Sequence, residues 1–179
     1  MIYIKYFVHG TTFDNLEKKA SGWNEAMLAP KGIEQAKALA ETIKDEPFDI
    51  VISSDLQRAI DSANIDFAGR NIEILHDSRI RECNYGDLTR QDNSLVDYSK
   101  HIIEPFPNGE SMQDVEKRIS DFISYLKANF DGKRVALVAH KAPQLALDVL
   151  IKGKSWERAI AEDWRITKAW QPGWEYIIK

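Results

Sequence analysis

The chain has 179 residues, 44% hydrophobic and 29% charged, with a formal net charge of -4. That length and balance suit one α/β domain with a sizeable core and exclude a disordered chain. Lys and Arg are spread without a basic block, which argues against nucleic acid as a partner, while a local cluster of Arg and His can still bind a small anion.

No window approaches the ~18 apolar residues of a membrane span. The apolar start lacks a basic lead and a small-residue cleavage site, so it reads as a first strand rather than a secretory signal, and no membrane partner is expected. The single cysteine, Cys83, cannot form an internal disulfide, makes a Cys-rich metal site implausible and fits a reducing compartment. A cytoplasmic location is therefore expected.

Residues 2–8 are apolar on both alternating sets, the pattern of a strand buried on two faces, and His9-Gly10 ends it. Residues 11–30 are polar with scattered Gly, Pro and Trp, a long loop with room for one helical turn. Ile33, Ala36, Leu39, Ala40 and Ile43 recur at helical spacing and predict a helix over 31–44. Residues 49–52 predict a second strand. Ser54 with Gln57 three residues on predicts a capping box and a helix from there to about 68. A third strand is expected at 72–75, followed by mostly irregular chain over 77–110.

A capping signal at Ser111 opens a helix to about 129, with Met112, Val115, Ile119, Phe122, Ile123 and Leu126 on one face. Residues 134–139 are the clearest strand, and His140 ends it. A helix over about 143–151 follows. The aromatic and β-branched tail, 166–179, predicts a strand, with a hairpin possible around Gln171-Pro172-Gly173. Strands alternating with helices predict a single domain, 1–179, with a mostly parallel sheet covered on both faces. Ligands bind such sheets beyond the carboxyl ends of the strands, where His9, Ser53-Ser54 and His140 are all expected.

Phosphoryl transfer needs a nucleophile, positive charge around the phosphate oxygens and an acid for the leaving group. A neutral imidazole at His9 can be phosphorylated, and the glycine after it lets backbone approach a ligand closely. Arg58, in the first turns of a helix that starts on the same rim, brings a guanidinium and a helix dipole. His140 ends the strongest strand, and Glu82 offers a carboxyl. Singly, each of these is more often a packing or surface residue; their matching contexts lift them together. His76 and His101 have no such context. Trp23, Met27, Tyr85 and Tyr98 lie in loops able to set specificity, although such residues more often pack on their own domain.

Six segments resemble, in order from residue 2 to about 145, those of the histidine phosphatase superfamily, the phosphoglycerate mutase-like group. Val8-His9-Gly10-Thr11-Thr12 with Asn15 resembles the opening Arg-His-Gly-x-Thr/Ser motif and its downstream Asn. Leu28-Ala29-Pro30-Lys31-Gly32 with Gln35-Ala36 resembles the next segment, and Ser53-Ser54-Asp55-Leu56-Gln57-Arg58-Ala59 the third. Arg81-Glu82-Cys83-Asn84-Tyr85-Gly86, Pro107-Asn108-Gly109-Glu110-Ser111 and Val138-Ala139-His140 complete the set. The resemblance implies a three-layer sandwich with one late antiparallel strand. It also implies roles: His9 as nucleophile, Arg58 and His140 as phosphate ligands, Glu82 as proton donor and then base. Thr12 and Asn15 would add hydrogen bonds to the phosphate. No metal or other cofactor is implied.

Two positions depart from that pattern. Val8 stands where the family has arginine, removing a fork of donors and a full charge; losing one such transition-state donor typically costs ~10²–10³ in rate. Lys141 stands where the last motif normally has glycine. A lysine so close to His140 is a candidate to restore the charge and bind substrate, with Arg79 and Arg81 as weaker ones. A cysteine-dependent phosphatase is excluded by counting: the arginine position after Cys83 falls on Thr89. The sequence therefore predicts a phosphomonoesterase for a small phosphorylated molecule, with a catalytically impaired phosphate or partner binder as the alternative. The short stretch from Glu82 to Pro107 leaves little to shield an intermediate from water, which favours hydrolysis over mutase chemistry.

Overall fold

The computed structural model of the protein covers residues 1–179. Five strands form one sheet: β1 (Ile2–Val8), β2 (Ile50–Ser53), β3 (Ile74–His76), β4 (Arg134–Ala139) and β5 (Trp174–Ile178), in the order β3-β2-β4-β1-β5. β1, β2, β3 and β4 run parallel, and β5 pairs antiparallel with β1. The fold is the expected α/β sandwich, a mostly parallel sheet with one late antiparallel strand.

Alternation along β1 divides the core. Ile2, Ile4 and Tyr6 face the larger cluster, which includes Ile119 and Phe122 of α4 (Met112–Asn129) and Leu145 of α5 (Lys141–Lys152). Phe7 faces the smaller cluster with Ile43 of α2 (Pro30–Ile43) and Ala63 of α3 (Gln57–Asp66). Covered on both faces, β2 and β4 have no need of polar alternation, and residues 135–139 are fully buried. The predicted face of α4 packs as read, and Ser111 forms a capping box with Asp114.

Other boundaries differ for local reasons. Ser54 does not cap α3: Leu56 is the N-cap residue without a side-chain bond, and the Ser54 hydroxyl instead accepts from Leu56 N at 3.3 Å. α5 begins at Lys141 rather than 143, because His140 already has the extended backbone of an N-cap and Pro143 sits in the first turn, where its missing N–H is no loss. No hairpin forms in the tail. Short helices α6 (Trp156–Ala161) and α7 (Trp164–Thr167) precede it, and β5 covers the edge of β1. One helical turn, α1 (Phe13–Leu16), interrupts the first loop. The 77–110 stretch is a chain of 3₁₀ turns, three of them opened by Asp77, Asp92 and Asp97 side chains that accept a backbone N–H two residues on.

Gly10 has a structural reason the sequence did not disclose. A Cβ there would lie 2.5 Å from the carbonyl oxygen of Gly32, and a Cβ on Gly32 would lie 2.1 Å from that of Thr11. The two glycines let the loop after β1 touch the start of α2, which fixes where the residues after His9 go.

Candidate active site

Sheet register brings the two histidines together. Val8 pairs with Ala139, His9 N donates to Ala139 O at 3.1 Å, and the imidazole centroids of His9 and His140 lie 5.0 Å apart. His9 borders a cavity of about 600 Å³ at the carboxyl ends of the central strands, and the buried His140 ring lies behind it against His9. Val8, Arg58, Glu82, Asn15 and Lys141 line it as well.

The orientation of His9 follows from one contact. Its Nδ1 lies 2.8 Å from Gly10 O, and a carbonyl only accepts, so Nδ1 carries the proton and Nε2 keeps a free lone pair. Burial, then the Arg58 guanidinium, hold His9 below its ordinary value, to about 3. His140 is fully buried, and neither ring nitrogen has a partner. Burial and Arg58 push it well below the ordinary histidine value too. Both rings are therefore neutral at physiological pH. The backbone of His140 is locked by Tyr6, whose hydroxyl donates to His140 O at 2.6 Å and accepts from His140 N at 2.9 Å.

Arg58 is 2% exposed. It donates to Gly22 O at 2.7 Å and Asn24 O at 3.1 Å, so the loop before α2 holds one side of the guanidinium and leaves the rest for the cavity. Glu82 reaches the N-terminus of α5. Its Oε1 accepts from Cys83 N and Ala142 N at 2.9 Å each and from the Tyr98 hydroxyl at 3.2 Å. Its Oε2 accepts only from Lys141 N at 3.2 Å, which leaves Oε2 as the oxygen with capacity to exchange a proton with a ligand.

Thr12 does not border the cavity. It is buried, and its side chain closes a capping box with Asn15 at the start of α1, a box that also uses Asn15 Oδ1. Only the amide nitrogen of Asn15 remains free for a ligand. Thr11 lines the cavity in its place, bonded to Gln35 Oε1. Arg79 and Arg81 are tied to Asp77 and Asp55 and lie outside the cavity, so neither supplies the charge missing at Val8. Lys141 does line it, with Nζ 3.3 Å from Asp163 Oδ2 and 4.5 Å from the Tyr98 ring centroid. Tyr85 and Tyr98 border the site, whereas Met27 is exposed elsewhere and the Trp23 indole braces Glu82 O at 2.7 Å.

Three residues of this wall had no motif to announce them: Asp66, Trp164 and Arg165. Asp66 was one more helical position, and the other two lie past the last recognisable segment. No group of three or more His, Cys, Asp or Glu side chains is placed to hold a metal. Cys83 is buried and unpaired, and burial pushes its thiol far up. No helix is long and apolar enough to cross a membrane.

Two neutral histidines, a buried arginine and a carboxyl thus gather at the carboxyl ends of the parallel strands. The chain belongs to the histidine phosphatase superfamily (branch 1), whose family profile matches residues 7–167. It is 31% identical over 150 residues to a protein from Escherichia coli O1:K1 named probable phosphoglycerate mutase GpmB, covering 78% of this chain and 70% of that one. Among solved structures it is similar to an α-ribazole phosphatase from Shigella flexneri, 26% identical with a TM-score of 0.76 over 89% of this chain and 84% of that one. It is also similar to a mycobacterial glucosyl-3-phosphoglycerate phosphatase complexed with VO3, 26% identical with a TM-score of 0.77 over 89% and 86%.

Proposed function

We propose that the chain is a phosphomonoesterase that moves a phosphoryl group from a small phosphorylated molecule to Nε2 of His9 and then to water. The observation that carries this reading is the state of His9: neutral, with its Nδ1 proton directed at Gly10 O and Nε2 free beside His140 and Arg58. In the first step the N–P bond forms as the ester P–O bond breaks, and protonated Glu82 gives its proton to the leaving oxygen. In the second, Glu82 takes a proton from water, the water oxygen bonds to phosphorus, and the N–P bond breaks to release inorganic phosphate. Arg58 and His140 hold the phosphate oxygens; a neutral His140 does so as a hydrogen-bond donor.

A cavity of about 600 Å³ suits a small molecule. The solved relatives named as phosphatases point to hydrolysis, and the relative named as a probable mutase points to the same phosphoryl chemistry. Nothing in the surface charge calls for nucleic acid, and the lone buried thiol fits a cytoplasmic setting.

The test is hydrolysis of p-nitrophenyl phosphate from about pH 5 to about pH 8 by the protein and by His9→Ala. Activity that disappears in the variant upholds the reading. Equal rates in two folded proteins would overturn it, in favour of a phosphate binder that catalyses little. Val8 is the observation that favours that second reading, because it lines the cavity with an apolar side chain where an arginine would bring charge.

A further inference from the structure

Four cations line the cavity: Lys19, Arg58, Lys141 and Arg165. Lys19 is engaged by Glu17 at the surface. Arg58 sits in the first turn of α3. Lys141 and Arg165 meet at one carboxylate, that of Asp163, which is 1% exposed. Arg165 donates from one terminal nitrogen to Asp163 Oδ1 at 2.9 Å. Lys141 lies 3.3 Å from Oδ2 but out of line for a hydrogen bond, so that oxygen has no bonded partner. Two positive charges thus share one negative charge, and a net positive charge is left on this wall.

Arg165 is also braced for a fixed position. Its guanidinium lies 4.4 Å from the Trp164 ring centroid, and the Trp164 ring stacks on Trp174 at 5.2 Å. The Trp164 indole donates to Gln144 Oε1 at 3.2 Å, tying α7 to α5. Contacts of Arg165 itself to Gln144 are long, at 3.4 Å, and its Nε makes no hydrogen bond within the chain. Donors are therefore left for a ligand. The Arg165 charge reaches both imidazoles, adding to the effect of burial and Arg58 on each.

We propose that Arg165, anchored by Asp163, is a second guanidinium of the phosphate site and supplies from the C-terminal segment the charge that Val8 does not. The inference rests on the phosphoryl reading of the cavity. It assigns Lys141 a different part: Lys141 helps fix Asp163, and Arg165 contacts the phosphate oxygens. A guanidinium suits that task because its fork matches two phosphate oxygens at once.

The experiment compares wild type, Arg165→Gln, Arg165→Lys and the double variant Val8→Arg/Arg165→Gln in two assays. One is p-nitrophenyl phosphate turnover, and the other is calorimetric binding of inorganic phosphate. Arg165→Gln is expected to lower kcat/KM by ~10²–10³ and to weaken phosphate binding at least about tenfold. Arg165→Lys keeps the ion pair with Asp163 and is expected to recover folding but only part of the affinity. Restoration of phosphate binding in the double variant would show that the lost element is a guanidinium at the phosphate and not the packing of α7. Unchanged phosphate affinity in folded Arg165→Gln would overturn the inference while leaving the phosphatase reading intact. If wild type turns over no faster than His9→Ala, the phosphatase reading fails, and phosphate binding alone then decides on Arg165 by the same criterion.

Discussion

The direction in which His9 points is decided one residue away, by the Gly10 carbonyl that fixes its Nδ1 proton. The same kind of local decision governs Asp66, the other unusual titratable group of the wall. It is 2% exposed, neither carboxyl oxygen has a partner, and burial pushes it up to about 8. In the unfolded chain an Asp titrates near 3.9. Between about pH 4 and about pH 8 the native state therefore holds a proton the unfolded state has released, and stability falls as pH rises through that window. Asp66→Asn removes the penalty. Its melting temperature is expected to exceed that of wild type by several degrees near pH 9 and to match it near pH 4. Equal gains at both pH values would show that Asp66 is not buried as a neutral acid. The two histidines act with the opposite sign. Kept neutral in the native state, they subtract stability as pH falls below about 6.5, and for His9 the loss continues to about 3.

At the scale of elements, the site is a product of strand ends. β1 and β4 are neighbours in register, so residues 131 positions apart in sequence, His9 and His140, follow Val8 and Ala139 side by side. α5 then starts on Glu82, whose carboxylate accepts two of its first N–H groups. Tyr6 couples strand to helix by bonding both backbone groups of His140. Tyr6→Phe strands those two buried groups, at a cost of about 1–3 kcal/mol. Its melting temperature should drop, and kcat should fall more than KM rises, because the His140 ring loses its fixed seat. A variant as stable as wild type would contradict the lock. Most of this was legible beforehand. Apolar periodicity located β1, β4 and the buried face of α4, and the strand-end rule placed the histidines on one rim. The missed boundary at α3 has a plain cause: Ser54 satisfies the cap pattern in spacing, but its hydroxyl turns to Leu56 N before the helix begins.

For the whole molecule, what stayed hidden is what the tail does. The recognisable segments end near residue 145, and the remaining chain carries few signals beyond aromatic content. Yet α7 and β5 bring Trp164 and Arg165 back to the cavity, an outcome of long-range packing that no local pattern encodes. The close approach of Gly10 and Gly32 was likewise visible as composition only, and its reason lies in where α2 docks. Thr12, matched by motif, serves the loop, and Thr11 faces the cavity.

The most direct measurement is of the covalent intermediate. Protein mixed with p-nitrophenyl phosphate, quenched in alkali and digested, should yield one phosphoryl group that is acid-labile and alkali-stable. It should map to the peptide bearing His9 and be absent from His9→Ala. Turnover without any phosphoryl group on His9, or a phosphoryl group on another residue, would contradict the account.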